Sequence, residues 1–138
     1  MNHPSISAVV LAFLAGIAAP SGSWAQDVEA GEKTFNKCKS CDQVGENAKN
    51  RIGPTLNGIV GQPAGLVEGF RYSDALLDGG DALLDGGIVW NEPTLAAYLA
   101  NPRTAVPESR MSFAGLRNDE EIANVIAYLA TYAADGTQ

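Results

Sequence analysis

Histidine is almost missing from this 138-residue chain, occurring once, as His3. The first 25 residues, which hold it, contain no Lys, Arg, Asp or Glu. Their apolar run from Ser7 to Ala19 is too short to span a bilayer and has the form of a signal-peptide core. Ser23-Trp24-Ala25 then supplies a small-x-small cleavage pattern. Cleavage after Ala25 is expected, leaving residues 26–138 as one exported domain, with an N-terminal membrane anchor as the competing reading. The mature part then has no histidine and a single methionine, Met111. A structural zinc site is excluded, because two cysteines with carboxylates make a poor donor set.

Cations are also scarce. Lys and Arg number 9 against 16 Asp and Glu, a net charge of −7, so nothing here neutralises a run of phosphates and nucleic acid is excluded as a partner. The two cysteines, Cys38 and Cys41, are so close that a disulfide between them would restrict the unfolded chain little. Large apolar side chains are few for a domain of this length, which needs a substantial core to offset its conformational entropy. A large buried cofactor would fill that gap.

What is present reads as helix and long loop. Val28, Gly31, Phe35 and Cys38 fall on one face of an amphipathic helix that ends at the cysteines. Residues 45–72 are rich in Gly and Pro without a sustained period, a long loop of the kind that wraps something. The heptad Asp74–Gly80 (DALLDGG) is repeated without mismatch as Asp81–Gly87, a short duplication and no solenoid. Asn91 caps a helix carrying Leu95, Tyr98 and Leu99, which stops at Asn101-Pro102. After an irregular stretch, Asn118 and Glu121 form a capping-box-like start to a last helix that buries Ile122, Val125, Ile126 and Leu129. The expected class is all-α, with three to five helices and long loops.

Cys-x-x-Cys followed by His is the attachment signature of c-type haem, but here the run is Cys38-Lys39-Ser40-Cys41-Asp42. Alone, the cysteine pair is shared with redox dithiols and chance. A thioredoxin-like enzyme would need a strand before the pair and a βαβ pattern after it, and neither is present.

From Gln26 to Ala133 the chain resembles the class I c-type cytochromes, most closely those of the cytochrome c2 kind. Arg51-Ile52-Gly53-Pro54-Thr55-Leu56 resembles the family loop whose proline carbonyl orients the axial histidine. Gly69–Ala75 (GFRYSDA) and Trp90 resemble the segments whose Tyr and Trp bond a haem propionate. Thr94–Pro102 (TLAAYLANP) is similar to the family's short helix, with Tyr98 near the axial methionine, and Pro107–Gly115 (PESRMSFAG) to the loop presenting it, here Met111.

The resemblance implies one covalent haem c on Cys38 and Cys41, with Pro54, Tyr72, Trp90 and Tyr98 around it and Met111 on the iron. It implies a monomeric, periplasmic electron carrier of respiration or photosynthesis, no enzyme, passing electrons between membrane complexes such as a cytochrome bc1 complex, an oxidase or a photosynthetic reaction centre. Lys37, Lys39, Lys49, Arg51 and Arg110 would flank the haem edge as a docking patch. The chain departs from the family at Asp42, where the axial histidine is expected, at Gln62, an arginine position in mitochondrial relatives, and at Glu108, a glycine position. Its Tyr72–Trp90 interval is too long by one heptad copy, so Asp81–Gly87 is expected to loop out over solvent. Read literally, Asp42 leaves two alternatives: a haem-free remnant or interaction module, and a peroxidase-like protein with an open iron site.

Overall fold

In the computed structural model, residues 26–77 and 87–138 are described. Residues 1–25, expected from the sequence to be a signal peptide, and residues 78–86, which include most of the second heptad copy expected to loop out, lie outside them. Among the described residues there are five helices and no strand ladder, as an all-α reading requires: α1 Val28–Phe35, α2 Asp74–Leu77, α3 Glu92–Ala100, α4 Pro102–Ala105 and α5 Asp119–Ala130. No helix among them is long and apolar enough to cross a membrane.

α1 begins where the Asp27 carboxylate accepts the Ala30 N–H at 3.0 Å. It stops at Phe35, earlier than its period suggests, and separate hydrogen-bonded turns carry the chain through Cys38 to Cys41. Val28 is also displaced from the expected face, being 41% exposed, whereas Gly31, Thr34 and Phe35 are buried. That face crosses α5. Phe35 tilts onto Tyr128 with ring centroids 5.5 Å apart, and the Asp27 N–H donates to buried Asn124 at 2.9 Å. The crossing is close because Gly31 has no side chain: a Cβ there would overlap the Asn124 carbonyl. Gly31→Ala is therefore expected to cost about 2–3 kcal/mol, as overpacking does, measured by denaturant unfolding of haem-loaded protein.

α5 is started by Asn118, which accepts the Glu120 N–H at 2.8 Å and that of Glu121 at 3.3 Å. The other half of the capping box is absent, because the Glu121 carboxylate pairs with Lys37 at 2.8 Å. Asn91 caps α3 as its sequence suggests, accepting from Thr94 at 3.0 Å. The stretch after Asn101 is not wholly irregular. Asn101 caps α4 through the Thr104 N–H, and Pro102 occupies its first turn, where a missing N–H costs nothing.

The 45–72 loop packs against this helical frame through backbone bonds: Gly58 N–H to the Tyr132 carbonyl at 3.1 Å, Gly61 N–H to that of Trp90 at 2.7 Å, and Trp90 N–H to that of Gln62 at 2.8 Å. Phe35, Leu95, Leu99, Val125 and Leu129 form one side of the core, and the loop closes over the other.

Candidate functional site

Between helices and loop lies a cavity of about 880 Å³. Phe35, Leu56, Leu95, Leu99, Val125 and Leu129 form its apolar wall. Every residue singled out from the sequence for haem binding also lines it: Cys38, Cys41, Asp42, Pro54, Tyr72, Trp90, Tyr98 and Met111. These residues are scattered from position 38 to 111, so their convergence is a property of the fold.

The cysteine turn is fixed by its backbone. Both the Cys41 and the Asp42 N–H donate to the Cys38 carbonyl at 2.9 Å, and the Cys41 carbonyl accepts from Gly53 at 2.9 Å. This last bond couples the cysteine turn to the Arg51–Leu56 loop. Burial pushes the Cys38 thiol up to about 11, with the Asp42 charge and Cys41 adding to the effect. The thiolate is the nucleophile in disulfide exchange, so such a thiol is a poor dithiol catalyst. Both cysteines are unpaired with one another.

Asp42 is held against the backbone of Gly53, where a Cβ would overlap its carboxylate. Burial raises its carboxyl to about 6. No hydrogen bond to this carboxylate is found among the described residues, and its charge reaches Tyr98.

The loop carrying Met111 is tied down by a residue that the sequence did not single out. Ser109 Oγ lies 3.2 Å from the Tyr98 hydroxyl and accepts the Met111 N–H at 3.3 Å. Its position two residues before the methionine was the only available signal. Trp90 is buried and packs on Tyr98, centroids 4.9 Å apart. The Tyr72 hydroxyl accepts the Val67 N–H at 3.2 Å, and its own proton has no acceptor among the described residues.

Glu108 has φ 65°, the one positive value at a non-glycine among the described residues. It follows Pro107 in a turn closed by the Ser109 N–H on the Val106 carbonyl at 3.1 Å, a pattern that asks for glycine. Glu108→Gly is expected to raise stability by about 0.5–1 kcal/mol, the relieved left-handed strain being partly offset by a more flexible unfolded chain. Thermal unfolding of the haem-loaded variant checks this.

Of the cations expected around the cavity, Lys39, Lys49, Arg51 and Arg110 are exposed. Lys37 is engaged by Glu121.

The geometry fits a haem in part. The cavity is of cofactor size, near the upper end of the usual 300–1,000 Å³ range. Two thiols on one turn, a thioether sulfur from a separate loop and an apolar wall suit a porphyrin attached at its edge. The donor beside the cysteines does not fit: a carboxylate stands there, and no histidine exists among the described residues.

The chain is similar to known proteins along most of its length. The chain is 46% identical over 109 residues to a cytochrome c2 of Afifella marina, covering 79% of this chain and 85% of that protein. It is 44% identical over 134 residues to a cytochrome c-554 of Methylosinus trichosporium, covering 96% of each. Among solved structures, cytochrome cH from Methylobacterium extorquens superposes with a TM-score of 0.67 at 39% identity, over 76% of this chain and 98% of that one. No protein-family model matches the chain.

Proposed function

We propose, because this chain belongs to the class I c-type cytochromes of the cytochrome c2 kind, that it is a periplasmic carrier shuttling single electrons between membrane redox complexes. Members of this family are electron-transfer proteins and not enzymes. The observation that carries the reading is the convergence of the Cys38–Cys41 turn, Met111, Tyr72, Trp90 and Tyr98 on one apolar cavity. Cys38 and Cys41 would hold haem c through thioether bonds, and Met111 would supply a thioether sulfur to its iron. The bound group supplies reversible one-electron chemistry at its iron.

The protein's own residues provide the rest. Apolar side chains from α1, α3 and α5 keep water from the centre of the cavity, which favours the less charged, reduced state. Tyr98 and Ser109 hold the methionine loop in place. The Tyr72 hydroxyl and the Trp90 indole would donate to propionates, and Pro54 marks the loop facing the Asp42 side. The exposed cations Lys39, Lys49, Arg51 and Arg110 form a docking patch for acidic faces of a cytochrome bc1 complex, an oxidase or a photosynthetic reaction centre. The protein acts as a monomer, after export and cleavage behind Ala25.

The test is export in a host that matures c-type cytochromes, followed by absorption spectroscopy and mass spectrometry of the Cys38–Cys41 peptide. A coloured fraction whose peptide carries covalent haem, with Gln26 at the N-terminus, is expected. Haem-free peptide throughout the exported protein would overturn the reading.

A further inference from the structure

We infer that Cys38 and Cys41 form a two-thiolate site for cuprous copper in exported chains that carry no haem. The departure at Asp42 produces such chains, because the attachment signature is incomplete there. Their two thiols sit on one turn, closed by the Cys41 and Asp42 N–H groups on the Cys38 carbonyl at 2.9 Å. That closure is local, so it does not depend on the packing of the long loops. The thiols are unpaired, partly buried and line the same cavity. Ser40 Oγ lies 3.7 Å from Cys41 Sγ, where a hydroxyl can donate to a thiolate.

The donor set selects the metal. Thiolates are soft, and they favour zinc, iron–sulfur clusters and cuprous copper over magnesium or calcium. Structural zinc and iron–sulfur clusters each ask for four protein donors. This chain has two cysteines and, outside its leader, no histidine. Among the described residues no group of three or more His, Cys, Asp or Glu is placed to hold a metal ion. Cuprous copper is satisfied by two thiolates in a line. On binding, each thiol gives its proton to solvent and each sulfur forms one bond to copper. The copper stays cuprous throughout, so no oxidant or reductant is consumed. Burial pushes the Cys38 thiol up to about 11. The free pair therefore reacts slowly as a dithiol, and metal uptake becomes a competition with a proton.

Anaerobic titration of the haem-free fraction of the exported chain with a cuprous acetonitrile complex provides the test, read by competition with the chromophoric chelator bicinchoninate. Binding of one copper per chain is expected, with affinity rising at least about tenfold per pH unit between about pH 6 and 8 as the Cys38 proton is displaced. Cys38→Ser and Cys41→Ser should each weaken binding at least about a thousandfold, and Met111→Leu should change it by less than about twofold. X-ray absorption at the copper edge gives a readout that does not depend on how the rest of the chain folds: a shell of two sulfurs is expected. A third sulfur, nitrogen or oxygen donors in that shell, or zinc bound as tightly as cuprous copper, would overturn the assignment. So would a haem-free chain that leaves all the copper with bicinchoninate. Haem on every exported chain sinks this site and leaves the carrier reading standing, whereas haem-free chains throughout that bind cuprous copper sink the carrier reading and leave the site.

Discussion

Asp42→His is expected to raise covalent haem content at least about tenfold, towards one per chain, and to convert the iron to a six-coordinate, low-spin state with Met111 opposite the new imidazole. The attachment signature includes the histidine, so a chain with Cys38-Lys39-Ser40-Cys41-Asp42 is a poor substrate for maturation. The fold around that position needs no other repair. The turn from Cys38 to Asp42 is hydrogen-bonded, Gly53 leaves room beside residue 42, and Pro54 lines the same cavity. The Tyr98–Ser109–Met111 chain already holds the loop that carries the sulfur. Imidazole and thioether together are low-spin donors, and the methionine raises the reduction potential. Haem content by pyridine haemochrome and spin state by electron paramagnetic resonance read the two effects separately. Unchanged haem content would show that maturation ignores residue 42; full loading with a high-spin iron would show that Met111 does not reach it.

How far the sequence foretold this site depends on the kind of signal. Asn91, Leu95 and Leu99 belong to one continuous capped helix, so local capping and period were enough to place them. Motifs also placed Cys38, Tyr72, Trp90 and Met111, because resemblance to a family carries long-range information that periodicity lacks. α1 ended early for a reason that period does not encode: the chain must unwind past Phe35 to present the cysteine turn. The lost half of the capping box had a similar cause. Lys37, distant in sequence, draws away the Glu121 carboxylate, a tertiary choice invisible in the local pattern. The same pairing removes Lys37 from the free cations around the cavity. Ser109 escaped notice because a serine in a loop has many uses, and only the fold brings it within reach of Tyr98. Glu108 was marked as a departure from the family, but its cost became visible only with its φ of 65°.

Without haem, the chain is expected to lose its cooperative tertiary structure. Near-ultraviolet circular dichroism should be weak and amide exchange fast outside α1 and α5. The cavity is the reason. An unfilled apolar void costs about 24 cal/mol per Å³, so 880 Å³ corresponds to a figure on the order of 20 kcal/mol. The cavity has exposed residues such as Arg51 and Ile52 in its wall, which makes that an upper value. Half of it still equals the whole stability of a typical domain, about 5–15 kcal/mol. Collapse of the wall cannot remove the penalty cheaply, because the loop 45–72 is rich in Gly and Pro and offers few large side chains to fill the space. The contact between α1 and α5 is built differently: Gly31 meets the Asn124 backbone, Phe35 meets Tyr128, and Asp27 bonds Asn124. Of these residues only Phe35 also lines the cavity, so this pair is the part expected to persist. Loading the Asp42→His protein with haem should restore sharp aromatic signals from Trp90, whose ring lies against Tyr98 in the cavity wall. Slow-exchanging amides throughout the haem-free chain would contradict this account and show that the helices alone hold the loops.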